Sequence, residues 1–214
     1  MGIIITPEIE QKLKETFVKE LADPVRLVVF TQELECQYCR ENRLLAEELA
    51  SLSPLITLEV YNFITDQEKV AEYKVEMVPA LIPVGQRDYG IRFYGIPAGF
   101  EFTSLLETIK LISRNDSGLK ETTKQALQEL TKPINIKVFV TPTCPYCPAA
   151  VIMAHRFALA AELVSSAMIE ATEFPHLSNK YRVYAVPKTV INETKEFVGA
   201  LSEEEFLSTL TSIK

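Results

Sequence analysis

Sliding the chain along itself by 108 residues lays Cys36-Gln37-Tyr38-Cys39 on Cys144-Pro145-Tyr146-Cys147. The same shift, without a gap, lays Tyr73-Lys74-Val75-Glu76-Met77-Val78-Pro79 on Tyr181-Arg182-Val183-Tyr184-Ala185-Val186-Pro187. Self-similarity at a fixed period marks a duplicated structural unit. The two motifs also keep one separation, 40 residues from Cys39 to Pro79 and from Cys147 to Pro187. Upstream, a shift of 109 sets Leu21-Ala22-Asp23-Pro24 on Leu130-Thr131-Lys132-Pro133 and Phe30 on Phe139, so the first copy carries one more residue between Thr31 and Glu35. Downstream, Phe93-Tyr94-Gly95 meets Phe197-Val198-Gly199 at a shift of 104, which gives the second copy a hairpin four residues shorter. Length changes confined to loops between matched elements are what two copies of one fold show.

Each copy reads as helix, β-α-β, helix, β-β, helix. Ile9, Leu13, Phe17 and Leu21, spaced by four, predict an amphipathic helix over Pro7–Leu21, with a less regular counterpart over Leu119–Leu130. Val25–Phe30 and the run Ile136, Val138, Phe139, Val140 predict the first strands, each followed by a C-x-x-C at the mouth of a helix. Ile56–Phe63 and Ala167–Ala171 are the second strands, and Gln67–Tyr73 and Leu177–Tyr181 short helices before Val-Pro. Ala80–Val84 with Ile91–Tyr94, and Thr189–Ile191 with Glu196–Val198, predict hairpins. Helices over Phe102–Ile112 and Glu203–Ile213 close the copies, the latter with Ser202 and Glu205 in capping-box spacing. The one polar, turn-rich run between copies, Ser113–Gly118, places the boundary so that residues 1–115 and 116–214 form the two units. It is too short to let them tumble freely.

All four cysteines lie in the two C-x-x-C pairs. The N-terminus shows no basic n-region or long apolar stretch, so a cytoplasmic chain is expected, in which such pairs are redox or metal sites. Unpaired N–H groups and the dipole at a helix N-terminus favour a thiolate at Cys144, with Cys147 one turn on and close enough to bridge to it. Pro145 and Pro148 are tolerable where a first turn has no use for their N–H.

At this point the chain resembles the thioredoxin-fold superfamily. It looks most like the tandem, glutaredoxin-like protein disulfide oxidoreductases of thermophilic archaea and bacteria, over nearly its whole length. The resemblance implies an α/β fold of two tandem thioredoxin-fold units, each a central mixed four-stranded sheet flanked by helices. It implies catalytic roles for Cys36, Cys39, Cys144 and Cys147. The first cysteine of each pair is the more exposed nucleophile and the second the resolving thiol. It implies cis bonds before Pro79 and Pro187, with Val78 and Val186 pairing to an extended substrate segment. It also implies no bound cofactor beyond the redox-active disulfides, with electrons from an NAD(P)H-dependent, thioredoxin-reductase-like flavoprotein. The chain departs from thioredoxin in having no Trp, and in placing Phe30 and Val138 where thioredoxins bury a carboxylate. Glu59 is a candidate substitute in the first copy; its shifted counterpart is Ala167.

The two sites are not expected to be equivalent. Gln37 offers an N–H that Pro145 lacks. Glu33, Glu35, Arg40 and Arg43 flank the first pair, and carboxylates raise a thiol pKa where guanidinium groups lower it. The second unit is therefore expected to carry most of the disulfide reductase activity.

Composition narrows the alternatives. With a net charge of -7 and no Lys/Arg run, nucleic acid and anionic membrane are not expected partners. No apolar run nears the roughly 18 residues of a membrane span. The 25 Glu against four Asp lean toward a thermophilic source. Met1-Gly2 with Thr6 matches a myristoylation pattern loosely enough for chance. Zinc is disfavoured because 104 residues separate the pairs, where zinc ribbons use about 15 to 20. His155, His176, Tyr38 and Tyr146 are expected in structural, surface or rim roles. Two other functions stay open: an electron shuttle dedicated to one partner such as a peroxidase, and a zinc-binding or chaperone-like module. The module of this kind in the alkyl hydroperoxide reductase flavoprotein is expected to keep only one intact C-x-x-C.

Overall fold

The apolar, β-branched runs become β1 (Val25–Thr31) and β5 (Ile134–Val140), the central strands of the two copies. In the computed structural model, which describes residues 5–212, each copy then repeats one path. The Met1-Gly2 pattern and the expected helix end at Ile213 lie outside the described residues. The chain enters through α1 (Pro7–Glu20) or α5 (Glu121–Gln128). It crosses from β1 over α2 (Cys39–Ser51) to a parallel β2 (Ile56–Asn62), and from β5 over α6 (Cys147–Ala160) to a parallel β6 (Val164–Glu170). Short helices α3 (Gln67–Glu72) and α7 (Pro175–Lys180) lead into antiparallel hairpins, β3 (Ala80–Val84) with β4 (Ile91–Tyr94) and β7 (Lys188–Ile191) with β8 (Lys195–Val198). Helices α4 (Glu101–Arg114) and α8 (Glu203–Thr211) close the copies, and the Ser202–Glu205 capping box forms as its spacing implies.

One expectation needs correction. The strand expected over Ala167–Ala171 is β6, Val164–Glu170; Ser165 and Ser166 break the apolar run that announces a strand, although this one is covered on both faces. The two four-stranded sheets form as expected, and they also meet edge to edge. Strand β4 pairs in parallel with β6, from Ile91 opposite Ser166 to Tyr94 opposite Ile169. The two four-stranded sheets thereby become one of eight, in the order β2-β1-β3-β4-β6-β5-β7-β8. The reason lies in the edge strands. All four residues of β4 are buried, whereas the equivalent β8 begins Lys195-Glu196 and is largely exposed, as a charged outer edge that resists further pairing should be.

The core lies on both faces of this sheet. One layer joins Phe17, Leu27, Leu49, Leu105, Val138 and Phe157 beneath the longer helices. The other gathers Phe30, Ile82, Phe139, Ile169 and Val190 with Tyr73 and Tyr181. The run between copies is tied down: Asn115 ends α4 in the left-handed region (φ 48°), Ser113 Oγ donates to Asp23 O at 2.6 Å, and Arg156 of α6 donates to Ser117 O at 2.7 Å.

Helices α4 and α6 meet through Thr108 and His155, whose Oγ1 and Nδ1 lie 2.9 Å apart. Thr108 donates its hydroxyl proton to Ser104 O at 2.7 Å, so His155 Nδ1–H is the donor to Thr108, and the buried Nε2, without a partner to take a second proton's bond, leaves the ring neutral. The imidazole stands edge-on to Phe93 at 4.9 Å, and Nε2 has no hydrogen-bond partner. Burial pushes its pKa down to about 3. The unfolded chain binds this proton below about pH 6.5 and the native protein only near 3, so the neutral ring's contribution is complete above 6.5 and is lost as pH falls. Between pH 6.5 and 5 the loss should reach about 2 kcal/mol, taking about 1.4 kcal/mol per pH unit. Glu101 and Glu173, raised to about 7, titrate in the opposite sense, so the comparison that isolates the ring is wild type against His155→Leu. Urea denaturation should show the wild type losing that much more stability than the variant over this range; parallel profiles would refute the assignment.

Candidate dithiol sites

Each C-x-x-C straddles a helix start. The helices begin at the second cysteine, with Tyr38 and Tyr146 at the N-cap, so Cys36 and Cys144 lie in the preceding turn rather than inside the first helical turn. Pro145 accordingly sits outside α6, and Pro148 occupies its second position, where no N–H is needed. Both pairs are closed as disulfides with Cα–Cα distances of 5.5 Å. Cys36 is half-buried and Cys39 is 2% exposed; Cys144 and Cys147 are 8% and 0% exposed. In each pair the first sulfur is the nearer to solvent.

The Val78–Pro79 and Val186–Pro187 bonds are both cis. Their loops are set up identically, with Lys74 and Arg182 left-handed at φ 50° and with Gly95 N–H and Gly199 N–H donating to Pro79 O and Pro187 O at 2.9 and 2.8 Å. In the second copy this loop faces the motif directly, Cys144 Sγ lying 3.8 Å from Val186 O. In the first copy Cys39 Sγ accepts the Gln32 N–H at 3.4 Å, and a cavity of about 500 Å³ opens against Cys36 and Cys39 between Glu33, Arg40, Arg43 and Asp66. Glu59 does not join it; it accepts from Tyr61 at 2.8 Å and pairs with Arg26 at 3.4 Å.

One buried carboxylate, on α4, is not pointed to by the repeat. Glu101 is 1% exposed, with Oε2 accepting from Ser104 Oγ at 2.6 Å and Oε1 without a partner. Burial pushes its pKa up to about 7, against the opposing hydrogen bond from Ser104. Its placement follows from register. Phe100 N–H donates to Pro142 O at 3.0 Å, two residues before Cys144, and Thr108 meets His155, so α4 and α6 lie side by side and parallel. Glu101 is seven residues before Thr108 and Cys147 eight before His155, about 10.5 and 12 Å at 1.5 Å per residue. The carboxyl therefore stands level with the first turn of α6. Glutamate at a helix start is ordinary, and the shifted counterpart Glu205 is the surface capping residue, so no local signal separates the two.

The loop Gly95–Phe100 carries the first unit onto this site. Glu173 Oε1 accepts the Ile96 N–H at 2.7 Å, and Glu170 Oε2 accepts the Glu173 N–H at 2.6 Å. Gly99 has φ 59°, and a Cβ there would run into the Pro142 carbonyl. Gly99→Ala should cost about 1 to 2 kcal/mol, from the left-handed backbone and the forced retreat of the Cys144 loop. Thermal denaturation of the oxidised protein checks this; an unchanged midpoint would show that the contact is dispensable.

Among the described residues, no group of three or more His, Cys, Asp or Glu side chains is arranged to hold a metal, and no helix is long and apolar enough to cross a membrane.

Two C-x-x-C disulfides, each at a helix start on one of two repeated β-α-β units that share a sheet, define a double thioredoxin-fold dithiol protein. The thioredoxin domain family, Thioredoxin_3, matches residues 134–212. The crystal structure of a protein disulfide oxidoreductase from Aeropyrum pernix superposes with a TM-score of 0.91 and 36% identity, covering 99% of this chain and 94% of that one. The chain belongs to this family of tandem thioredoxin-fold protein disulfide oxidoreductases. It is also similar to the alkylhydroperoxide reductase AhpF of Enterococcus faecalis, with a TM-score of 0.88, 28% identity, and 96% and 99% of the two chains covered. Among curated relatives, an NADH dehydrogenase of Ferdinandcohnia aciditolerans is 27% identical over 168 residues, and the corresponding alkyl hydroperoxide reductase component of Pseudomonas putida is 25% identical over 193. The chain spans 30% and 35% of those two proteins' lengths.

Proposed function

We propose that this chain is a protein thiol-disulfide oxidoreductase that works through both C-x-x-C sites, with protein disulfides as substrates. The observation that carries the reading is the second dithiol, closed as a disulfide with Cys144 facing the Val186 carbonyl ahead of cis Pro187. In the reductive direction the Cys144 thiolate attacks one sulfur of a substrate disulfide, forming a mixed disulfide and releasing the other substrate sulfur as thiolate. Cys147 then loses its proton and attacks Cys144 Sγ; the Cys144–Cys147 disulfide forms and the second substrate thiol leaves. Two electrons have passed to the substrate. Glu101, level with Cys147 and ionising near neutrality, is the acceptor for the Cys147 proton. The backbone at Val186 is available to pair with an extended substrate segment. Cys36, Cys39, Val78 and Pro79 take the corresponding roles in the first unit. A thioredoxin-reductase-like flavoprotein using NAD(P)H returns both disulfides to dithiols, and the cycle runs in the cytoplasm.

A shuttle serving one peroxidase is the second reading, favoured by the likeness to the alkyl hydroperoxide reductase AhpF. Two intact C-x-x-C pairs favour the broader activity. The test is reduction of insulin disulfides by dithiothreitol, followed as turbidity, with zinc assayed on the same sample. Marked acceleration by the metal-free protein is expected. No acceleration, or one zinc per chain, would overturn the reading.

A further inference from the structure

The rims of the two dithiols differ in a way that the repeat makes measurable. Around the second site, Thr141–Cys147, Tyr184–Pro187 and Ile96–Phe100 carry no charged side chain. They present three exposed aromatic rings instead: Tyr184 is 90%, Tyr146 74% and Phe100 47% exposed. Each ring springs from backbone in contact with the Cys144 loop. Tyr146 lies between the cysteines, Tyr184 two residues before the Val186 carbonyl, and Phe100 donates its N–H to Pro142 O. Around the first site the corresponding segments carry Glu33, Glu35 and, at the position that matches Tyr184 without a gap, Glu76, all exposed, with the exposed Leu34 between the first two and with Arg40 and Arg43 lining the same cavity. Phe100 has no equivalent there. Its shifted counterpart is Glu204, which is ion-paired with Lys120 at the far end of the second unit.

We propose that Phe100 and Tyr184 are specificity-determining residues that direct the second dithiol to disulfides flanked by apolar and aromatic residues, while the carboxylate rim directs the first to disulfides flanked by basic residues. The inference rests on the oxidoreductase reading and adds a division of substrates to it. Rings this exposed gain nothing from the fold that bears them, and they bury area only when a partner covers them. Against Arg40 and Arg43 on the same cavity, Glu33, Glu35, Asp66 and Glu76 leave the first site net negative, which favours a Lys-flanked segment over an acidic one. The second site offers no charge to either, so apolar contact decides what it holds. One of its two selecting rings comes from the other unit, so the second unit alone would have an incomplete rim.

The experiment uses two synthetic peptides with the same intramolecular disulfide loop, one flanked by Phe and Leu and the other by Lys. Their reduction by dithiothreitol is followed with the full-length chain as catalyst. In a Cys36→Ser background, Phe100→Ser with Tyr184→Ser should raise KM for the apolar peptide about 10-fold, the scale of losing aromatic anchors, with kcat changed less than twofold. Tyr184→Glu should move the preference toward the Lys peptide, and the conservative Tyr184→Phe should retain the wild-type preference. In a Cys144→Ser background the Lys peptide should be preferred, with the preference weakening as salt rises. If wild type accelerates both peptides but the double variant loses equally on each, or on neither, the division is wrong and the oxidoreductase reading stands. If wild type accelerates neither peptide, both fail.

Discussion

Cys144→Ser should lower dithiothreitol-driven insulin reduction by about 100-fold or more at the second site, so that the variant retains only what the first site supplies. Cys36→Ser should keep most of the activity. Serine leaves no thiolate to attack a disulfide, and the exchange has no other route at that position. The ranking of the sites rests on their surroundings. Cys144 has the Val186 carbonyl 3.8 Å away, an uncharged rim and Glu101 level with its partner cysteine. Cys36 opens onto a cavity where Glu33 and Asp66 face Arg40 and Arg43, charges that oppose one another in stabilising a thiolate. Initial rates on one insulin preparation, with the two variants side by side, decide the matter; equal losses would abolish the ranking.

Glu101→Gln is the second substitution expected to weigh heavily. With a carboxyl that ionises near 7, the wild-type rate through the second site should rise as pH climbs through neutrality, because the ionised form accepts the Cys147 proton. Glutamine keeps the shape and the contact with Ser104 but takes up no proton. The rate above pH 7.5 should fall by about 100-fold, the low end of what general-base assistance supplies, and the inflection near 7 should vanish. A stopped-flow pH profile in the Cys36→Ser background reads both effects. The stability change has the other sign. A carboxyl raised from 4.5 to about 7 favours the native state below 4.5 and costs stability as pH rises through 7, so Glu101→Gln should be the more stable protein at pH 8. A slower but more stable variant separates a proton acceptor from a merely structural acid; a variant both slow and unstable would point to structure alone.

What the sequence discloses and what it conceals divide along one physical line. Features decided within a few residues were legible. The apolar runs of β1 and β5, a helix start at each C-x-x-C and the Ser202 capping box appear where the residues put them, and the cis bonds before Pro79 and Pro187 appear as the family resemblance implies. Features decided between the copies were not. Nothing local to Ile91–Tyr94 names β6 as its partner; only its contrast with the charged β8 hints that this edge is covered. Glu101 has the sequence context of a surface helix start, and its chemistry comes from being buried with one carboxyl oxygen left without a partner. Ser165-Ser166 hid the first half of β6 for a related reason, since a strand closed in by neighbours on both sides needs less apolar character of its own.

The β4–β6 seam ties the two units together through their sheet edges. Were the chain divided after residue 115, each half would expose a raw sheet edge, Ile91–Tyr94 on one and Ser166–Ile169 on the other, of the kind that seeks foreign strands. The second half would also lose Phe100, whose N–H reaches Pro142 O beside its dithiol from across the join. The two repeated units thus share one sheet, and the loop of one packs on the dithiol turn of the other.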